Sequence, residues 1–419
     1  MSYNIKKNIE SANKRALDVM LSAHPYWIGL KRAIDVVPGV QENTILHSGP
    51  PISYENMSNL HKKGIIGAIL HERIAKDEND ALALINRNEI DIKSAVDFGV
   101  VGAGAGILSP SMVVNICIDR DTGKKGYCTP YLGRVGLGAW GVYNKEIEEN
   151  LQVMEKVFGP SIDKILEKNN GIDIKNIIYQ GLQMNDETHT RQIAQGLLLI
   201  REIVPLLIKS DLDKKTLVQC VEIFTKGERW FHSLGMASAM AIISGIKNIE
   251  YSTVVTAMCG NGVEFGIKVS SLGDRWFVAP APKLEGKYFS TKWGPKDAMP
   301  WLGDSCIVET VGLGGFAAAA APAVLRLRGG TIKDAIQQTE EMKNICIGIN
   351  YNYPIPLLEF SGPPIGIDIR KVVNTGITPI SHGGILFKNG GQIGVGIARL
   401  PMKSFEDSLL AFSEKYNIS

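Results

Sequence analysis

The chain has 419 residues, with 45 Lys plus Arg against 43 Asp plus Glu, 45% apolar and 21% charged. That length exceeds one ordinary core, so two or three domains are expected, and the balanced charge with no basic, aromatic-interleaved block argues against a nucleic-acid surface. Six cysteines, scattered with no CxxC pair, argue against a disulfide framework or a zinc knuckle and fit a reducing, cytoplasmic setting.

In chain order, the opening "MSYNIKKNIESANKRALDVM" has no apolar signal-peptide core. "SGPPI" follows at Ser48–Ile52 and returns at Ser361–Ile365. Two prolines fix two φ angles and remove two donors, so each copy predicts a stiff exit from an extended segment. A shared cleft between the two copies, with their carbonyls turned outward, is the functional expectation. Residues 56–92 predict helix, short buried strand, helix, strand. Residues 98–118 are uncharged, but four glycines and a proline make them no credible membrane span. No membrane association is expected.

Residues 145–248 change character. Ile147, Leu151, Met154 and Phe158 recur at helical spacing, as do Ile193, Leu197 and Ile200, then Leu217, Val221 and Phe224. Asp173 and Asp211 are placed as helix N-caps. From about 250 the period shortens to two: Phe265, Ile267 and Val269 alternate with Gly266, Lys268 and Ser270. In "QIGVGIARLP" one strand face is reduced to glycine and alanine, so a chain segment or a ligand approaches its backbone closely. The expected architecture is mixed α/β and multidomain. An α/β part (1–144) and a glycine-rich α/β part (250–419) flank an all-helical middle (145–249).

Chemistry concentrates near glycine, which numbers 44. "GDSCIVETVGLGGFAAAAAPAVLRL" reads as acidic turn, strand, glycine loop and small-residue helix. Backbone N–H groups of Gly312, Gly314 and Gly315 would then cradle an anion at the start of a Phe316–Leu325 helix. Tight packing without a ligand explains the same pattern equally well. "GAGAG" (102–106) misses the dinucleotide spacing, so a nucleotide-dependent oxidoreductase ranks last. "MNDETHTR" sets Asp186 three residues before His189, a candidate proton-transfer pair if both share a helix face. Its bland reading is a capped helix with Glu187 and Arg191 pairing in solvent. Arg275, beside Asp274 in a turn, is a candidate carboxylate or phosphate clamp. Lys268, Asn261, Asp304, Ser305, Asp368 and His382 complete the candidate set for substrate binding. No cofactor or metal is expected.

These stretches also carry a resemblance. "GPPISYENM", "GAILHERIA", "MNDETHTR", "VTAMCGNGVEFGIKVSSLGDRWFVAP", "GDSCIVETVGLGG" and "GQIGVGIARLP" resemble the YlbE/AllG-like proteins over nearly the whole chain. The resemblance implies a subunit of oxamate carbamoyltransferase, working beside FdrA-type and AllH-type partner subunits, with a homo-oligomer also possible. The implied reaction exchanges a carbamoyl group: oxalurate and phosphate give oxamate and carbamoyl phosphate. Such small anions need charge clamps and oxyanion donors, the part His189, Lys268 and Arg275 are expected to play. Gly260 stands where the family pattern carries an arginine. The alternatives are therefore a paralogue acting on another ureido or amide substrate, and a non-catalytic anion-binding scaffold.

Overall fold

The computed structural model describes residues 3–130, 136–227, 229–327 and 329–418. Its first sheet has five strands in the order 100–101, 125–128, 113–119, 25–32, 172–173. The strand Pro25–Arg32 runs antiparallel to Val113–Asp119 with a bulge between Trp27 and Gly29. Thr44–His47 and Asp91–Ser94 pair in parallel, as a connection through helices allows. Between them the expected buried strand is absent, because "GIIGAIL" is the body of the helix Asn59–His71. Its glycines explain the misreading. A Cβ at Gly64 would lie 2.6 Å from Ile107, and one at Gly67 2.7 Å from Tyr143, so the helix needs both to sit close. Ser58 starts it by accepting the His61 N–H at 3.3 Å.

The middle is helical as expected, apart from the two residues Ile172–Asp173 that extend the first sheet. Ile147, Leu151, Met154 and Phe158 are all buried. The second stripe is not: Ile193 is 57% and Leu197 61% exposed. The helix Ile193–Ile208 carries two apolar stripes at the same period. The one through Ala194, Leu198, Ile203 and Leu207 is buried, because Gln195 beside it packs on Gly181 of the neighbouring helix. Asp173 caps the helix Ile174–Gln183, but Asp211 caps nothing. Asp213 takes that role for Lys214–Lys226, and Asp211 pairs in solvent with Lys168.

The helix Trp230–Ser244 is buried along almost its full length and lies on the first sheet. Gly126 permits this, since a Cβ there would strike the Ala237 carbonyl. One apolar core therefore draws Trp27, Phe158, Trp230, Ala257, Ile307 and Ile365 from all three stretches of the chain.

The last third builds separate antiparallel sheets. One has the strand order 277–280, 264–269, 255–261, 302–303, and another 285–288, 392–399, 380–386. Among the described residues, first and last thirds share no sheet and are joined by one isolated bridge, Ala103 to Gly303. The glycine face of Gln392–Arg399 is approached by a chain segment, Glu285–Tyr288, with Gly286 opposite Gly396. No helix among the described residues is long and apolar enough to cross a membrane.

Neither "SGPPI" copy presents its carbonyls outward. Gly49 O accepts from Ser94 Oγ at 2.7 Å and Pro50 O from Asn261 Nδ2 at 3.1 Å. In the second copy Pro363 O accepts the Asn350 N–H at 2.9 Å, and Pro364 opens a strand. Both are rigid internal joints rather than cleft walls.

Two consequences are measurable. Phe158 stacks within 5.2 Å of both Phe224 and Trp230, so Phe158→Ala should cost about 3–5 kcal/mol in denaturant unfolding. His71 ties the helix Asn59–His71 to the middle, with Nδ1 2.6 Å from Glu148 and Nε2 2.7 Å from Glu155. Burial lowers its pKa, but the two carboxylates more than reverse this and push it up to about 9. A folded pKa above the unfolded 6.5 gives stability that is complete below 6.5 and lost as pH rises towards 9. Thermal midpoints should show that decline in the wild type and lack it in His71→Gln.

Candidate functional site

Between the helix ending at Gln183 and the one starting at Ile193 the chain does not form the expected helix start. Asn185 and Thr188 both hold positive φ (72° and 76°), which breaks helical spacing. Asp186 and His189 therefore share no face and do not pair. Asp186 accepts the Gln195 N–H at 2.8 Å and faces Arg191 Nε at 3.5 Å; burial pushes its carboxyl up to about 6. Nor is Glu187 solvated. It is fully buried, and its Oε1 accepts the N–H groups of His189 (3.2 Å), Thr190 and Arg191 (2.7 Å).

His189 pairs instead with Glu309, Nδ1 to Oε1 at 2.8 Å. The same oxygen accepts the N–H of Gly315 (3.0 Å) and of His382 (3.2 Å). The glycine loop is thus explained by packing. The Gly314 N–H donates to the Glu187 carbonyl at 2.7 Å, and a Cβ at Gly314 would land on the Glu309 carboxylate. Gly312, with φ 83°, has the Pro364 carbonyl 2.6 Å from where its Cβ would sit. The amides of Gly314 and Gly315 already have protein acceptors, so the loop is no open anion nest. The expected Phe316–Leu325 helix is a short 3-10 stretch to Ala320 and a separate turn from Pro322.

His189 lines a small cavity with Thr190, Arg229, His232, Ser305 and Trp301, closed by Ala103–Gly104, Trp140 and Gly383–Gly384. Its volume is about 60 Å³, where one water needs about 10–15 Å³. Among the described residues, no aspartate or glutamate lines it. Thr190 Oγ1 is buried there with no protein partner among the described residues. Burial lowers the His189 pKa and Arg229 adds to that, but Glu309 and then Glu187 outweigh both, so the net shift is upward. Burial holds His232 well below 6.5, helped by His189 and Arg229. The cavity thus presents one guanidinium, one imidazole biased towards its cation and one neutral imidazole.

The remaining candidates lie elsewhere. Arg275 is exposed in its turn, its guanidinium 4.9 Å from the Phe277 ring centre, and is not among the cavity's lining residues. Lys268 is buried but neutralised by Asp97 and Asp274. Asn261 braces Pro50 and the following turn. Asp304 binds the N–H groups of Gly49 (2.7 Å) and Gly102 (2.9 Å), and burial raises its carboxyl to about 7. Asp368 caps the helix Ile369–Thr375 and pairs with Arg370 at 2.6 Å. Of the expected set, His189 and Ser305 line the cavity, while His382, Gly314 and Gly315 stand behind it. Sequence reasoning passed over Arg229, His232 and Gln338 entirely. The available signal was "RWFH", an arginine and a histidine three residues apart at a helix start. Gly260 leaves no room for a side chain, its Cβ falling 2.6 Å from the Trp301 carbonyl.

Comparison with known proteins fits this geometry to a family. The family model described as oxamate carbamoyltransferase subunit AllG matches residues 90–305. The oxamate carbamoyltransferase subunit AllG of Escherichia coli K12 is 35% identical over 98% of this chain and 99% of its own. The chain belongs to the AllG family. The uncharacterized protein YahG of the same organism is 36% identical, over 98% of this chain and 87% of its own. The crystal structure of a conserved protein of unknown function from Enterococcus faecalis V583 superposes on this AllG-family chain with a TM-score of 0.94. It shares 35% identity, covering 98% of this chain and 99% of that one.

Glu309→Gln should lower the His189 pKa, because the first-ranked attractive charge is removed. The wild type, with a raised folded pKa, gains stability that is complete below the unfolded value and fades as pH climbs through the folded one. Denaturant midpoints measured across pH 5–9 should show that component in the wild type and not in the variant.

Proposed function

We propose that the chain is a subunit of an oxamate carbamoyltransferase-like enzyme, and that the His189 cavity binds its small anionic substrate. The observation that carries this is a confined cavity with Arg229 and a cation-biased His189 on its wall and, among the described residues, no acidic side chain. In so confined a space such charges act more strongly than in open water.

The proposed chemistry uses few groups. A phosphate oxygen attacks the carbamoyl carbon of oxalurate; the C–N bond to the oxamate nitrogen then breaks. That nitrogen leaves with a proton, and phosphate gives one up. His189 is suited to carry it: Glu309 occupies Nδ1, so Nε2 is the nitrogen that can serve the cavity. Arg229, Thr190 Oγ1 and Ser305 supply donors for carboxylate or phosphate oxygens. FdrA-type and AllH-type subunits are the proposed partners, and a self-assembled oligomer is compatible with the reading.

Arg229→Ala should weaken oxamate or phosphate binding by about 2–5 kcal/mol in calorimetry, as for truncating one partner of a desolvated charge pair. Arg275→Ala should leave the affinity unchanged; a reversed pattern would move the site to the Arg275 turn. Phosphate-dependent cleavage of oxalurate, assayed for the chain alone and with its partners, separates catalysis from scaffolding. Wild-type activity in a complex carrying His189→Gln would favour the scaffold.

A further inference from the structure

Behind the cavity lies a second carboxylate–histidine pair that the proposed chemistry does not use. His382 is fully buried, with Nδ1 3.2 Å from Glu187 Oε2 and Nε2 2.9 Å from Gln338 Nε2. Gln338 Nε2 also lies 2.8 Å from the Gly315 carbonyl. These three distances determine where the protons are. A carbonyl only accepts, so the Gln338 atom facing Gly315 is its NH2 group. The second N–H of that group points at His382 Nε2, which must therefore accept. The His382 proton then sits on Nδ1 and is donated to Glu187.

The relay closes on the cavity histidine. Glu187 grips the amides of His189, Thr190 and Arg191 with its other oxygen. The Gly315 N–H and the His382 N–H both reach the Glu309 oxygen that holds His189. From Gly315 the chain of bonds runs through Gln338, His382 and Glu187 to His189, then through Glu309 back to Gly315.

We infer that Glu187, His382 and Gln338 form a positioning relay that orients His189 and holds a second negative charge beside it. His382 serves as a neutral Nδ1–H donor, not as an acid or base. The inference rests on His189 being the functional histidine of the cavity, and it adds the group that keeps Glu187 ionised and aimed. Among the described residues, the charged or titratable groups that bear on His189 are Glu309 on the segment after Cys306, Glu187 on its own loop, Arg229 just ahead of the Trp230–Ser244 helix and His232 in its first turn. His382 packs against the two carboxylates from the strand Ile380–Leu386.

The test is nitrogen NMR of the full chain labelled at its seven histidines, with peaks assigned by single His→Gln variants. In the wild type His382 should show the Nδ1–H tautomer, the opposite of the form free histidine prefers. An Nε2–H signal at neutral pH would overturn the relay before any variant is made. Glu187→Gln keeps the shape but turns an amide NH2 towards His382 Nδ1. Gln338 still donates to Nε2, so His382 is left between two donors: its pure Nδ1–H signal should be lost, and the His189 titration midpoint should fall, by less than in Glu309→Gln. An unmoved His189 midpoint alongside a changed His382 signal would reduce Glu187 to a loop brace. Gln338→Leu leaves both carboxylates in place, so Glu187 should keep the proton on Nδ1, while Nε2 loses its donor and its nitrogen signal should move downfield towards that of a free acceptor nitrogen. An unshifted Nε2 signal in that variant would remove Gln338 from the relay. None of these readings depends on anion affinity, so the relay and the cavity's function can fail separately.

Discussion

The structure turns on one oxygen atom. Glu309 Oε1 accepts from His189 Nδ1, from the Gly315 N–H and from the His382 N–H, so three chain segments far apart in sequence meet on a fully buried charge. An ionised carboxylate removed from water loses several kcal/mol of solvation, and only charge-assisted bonds of about 1.5–3 kcal/mol each return it. Glu187 solves the same problem with three amides and a histidine. Glu309 concentrates its donors on Oε1, while its buried Oε2 has no protein partner among the described residues.

That demand explains the glycines better than ligand binding does. Gly314 exists because any side chain would collide with Glu309, and Gly315 because a Cβ would strike the Ile380 carbonyl. Asp304 repeats the pattern at lower cost: it is raised towards neutrality by burial and ties Gly49 to Gly102. A glycine loop beside a buried acid is thus a receptor for that acid. The donors proposed for a ligand lie on the other side of His189, where Arg229 and Thr190 line the cavity.

How much of this was legible follows from what each signal measures. The mixed α/β plan and the helical middle were readable because periodicity is local. The buried stripe of Ile193–Ile208 was not, since two stripes of equal period differ only in what packs on them. "GIIGAIL" read as strand because glycine lowers helix propensity, while its role in close packing is invisible one chain at a time. His189 and His382 were picked out as candidates, yet His189 was given the wrong partner and His382 was given none. Asp186 lies three residues from His189, whereas Glu309 lies 120 residues away, and no spacing rule reaches that far. Glu309 did leave one trace. It is an acid standing just ahead of the uncharged run from Val311 to Leu325, where a solvated carboxylate would have no reason to be.

Placing the two acids behind the histidines, not in the cavity, decides what the cavity can hold. A carboxylate on the wall would repel the anions proposed to bind beside Arg229. One atom layer back, the same carboxylate biases His189 towards its cation without offering an oxygen to the ligand. Trp301 enforces the separation from the other side, its ring 6.1 Å from His189 and fitted against Gly260 and Gly383. The site is therefore built as negative charge, then imidazole, then space, in that order. An arrangement of that kind suits a small anion that must be both held and protonated, and it has no use for a cation or a bulky neutral ligand.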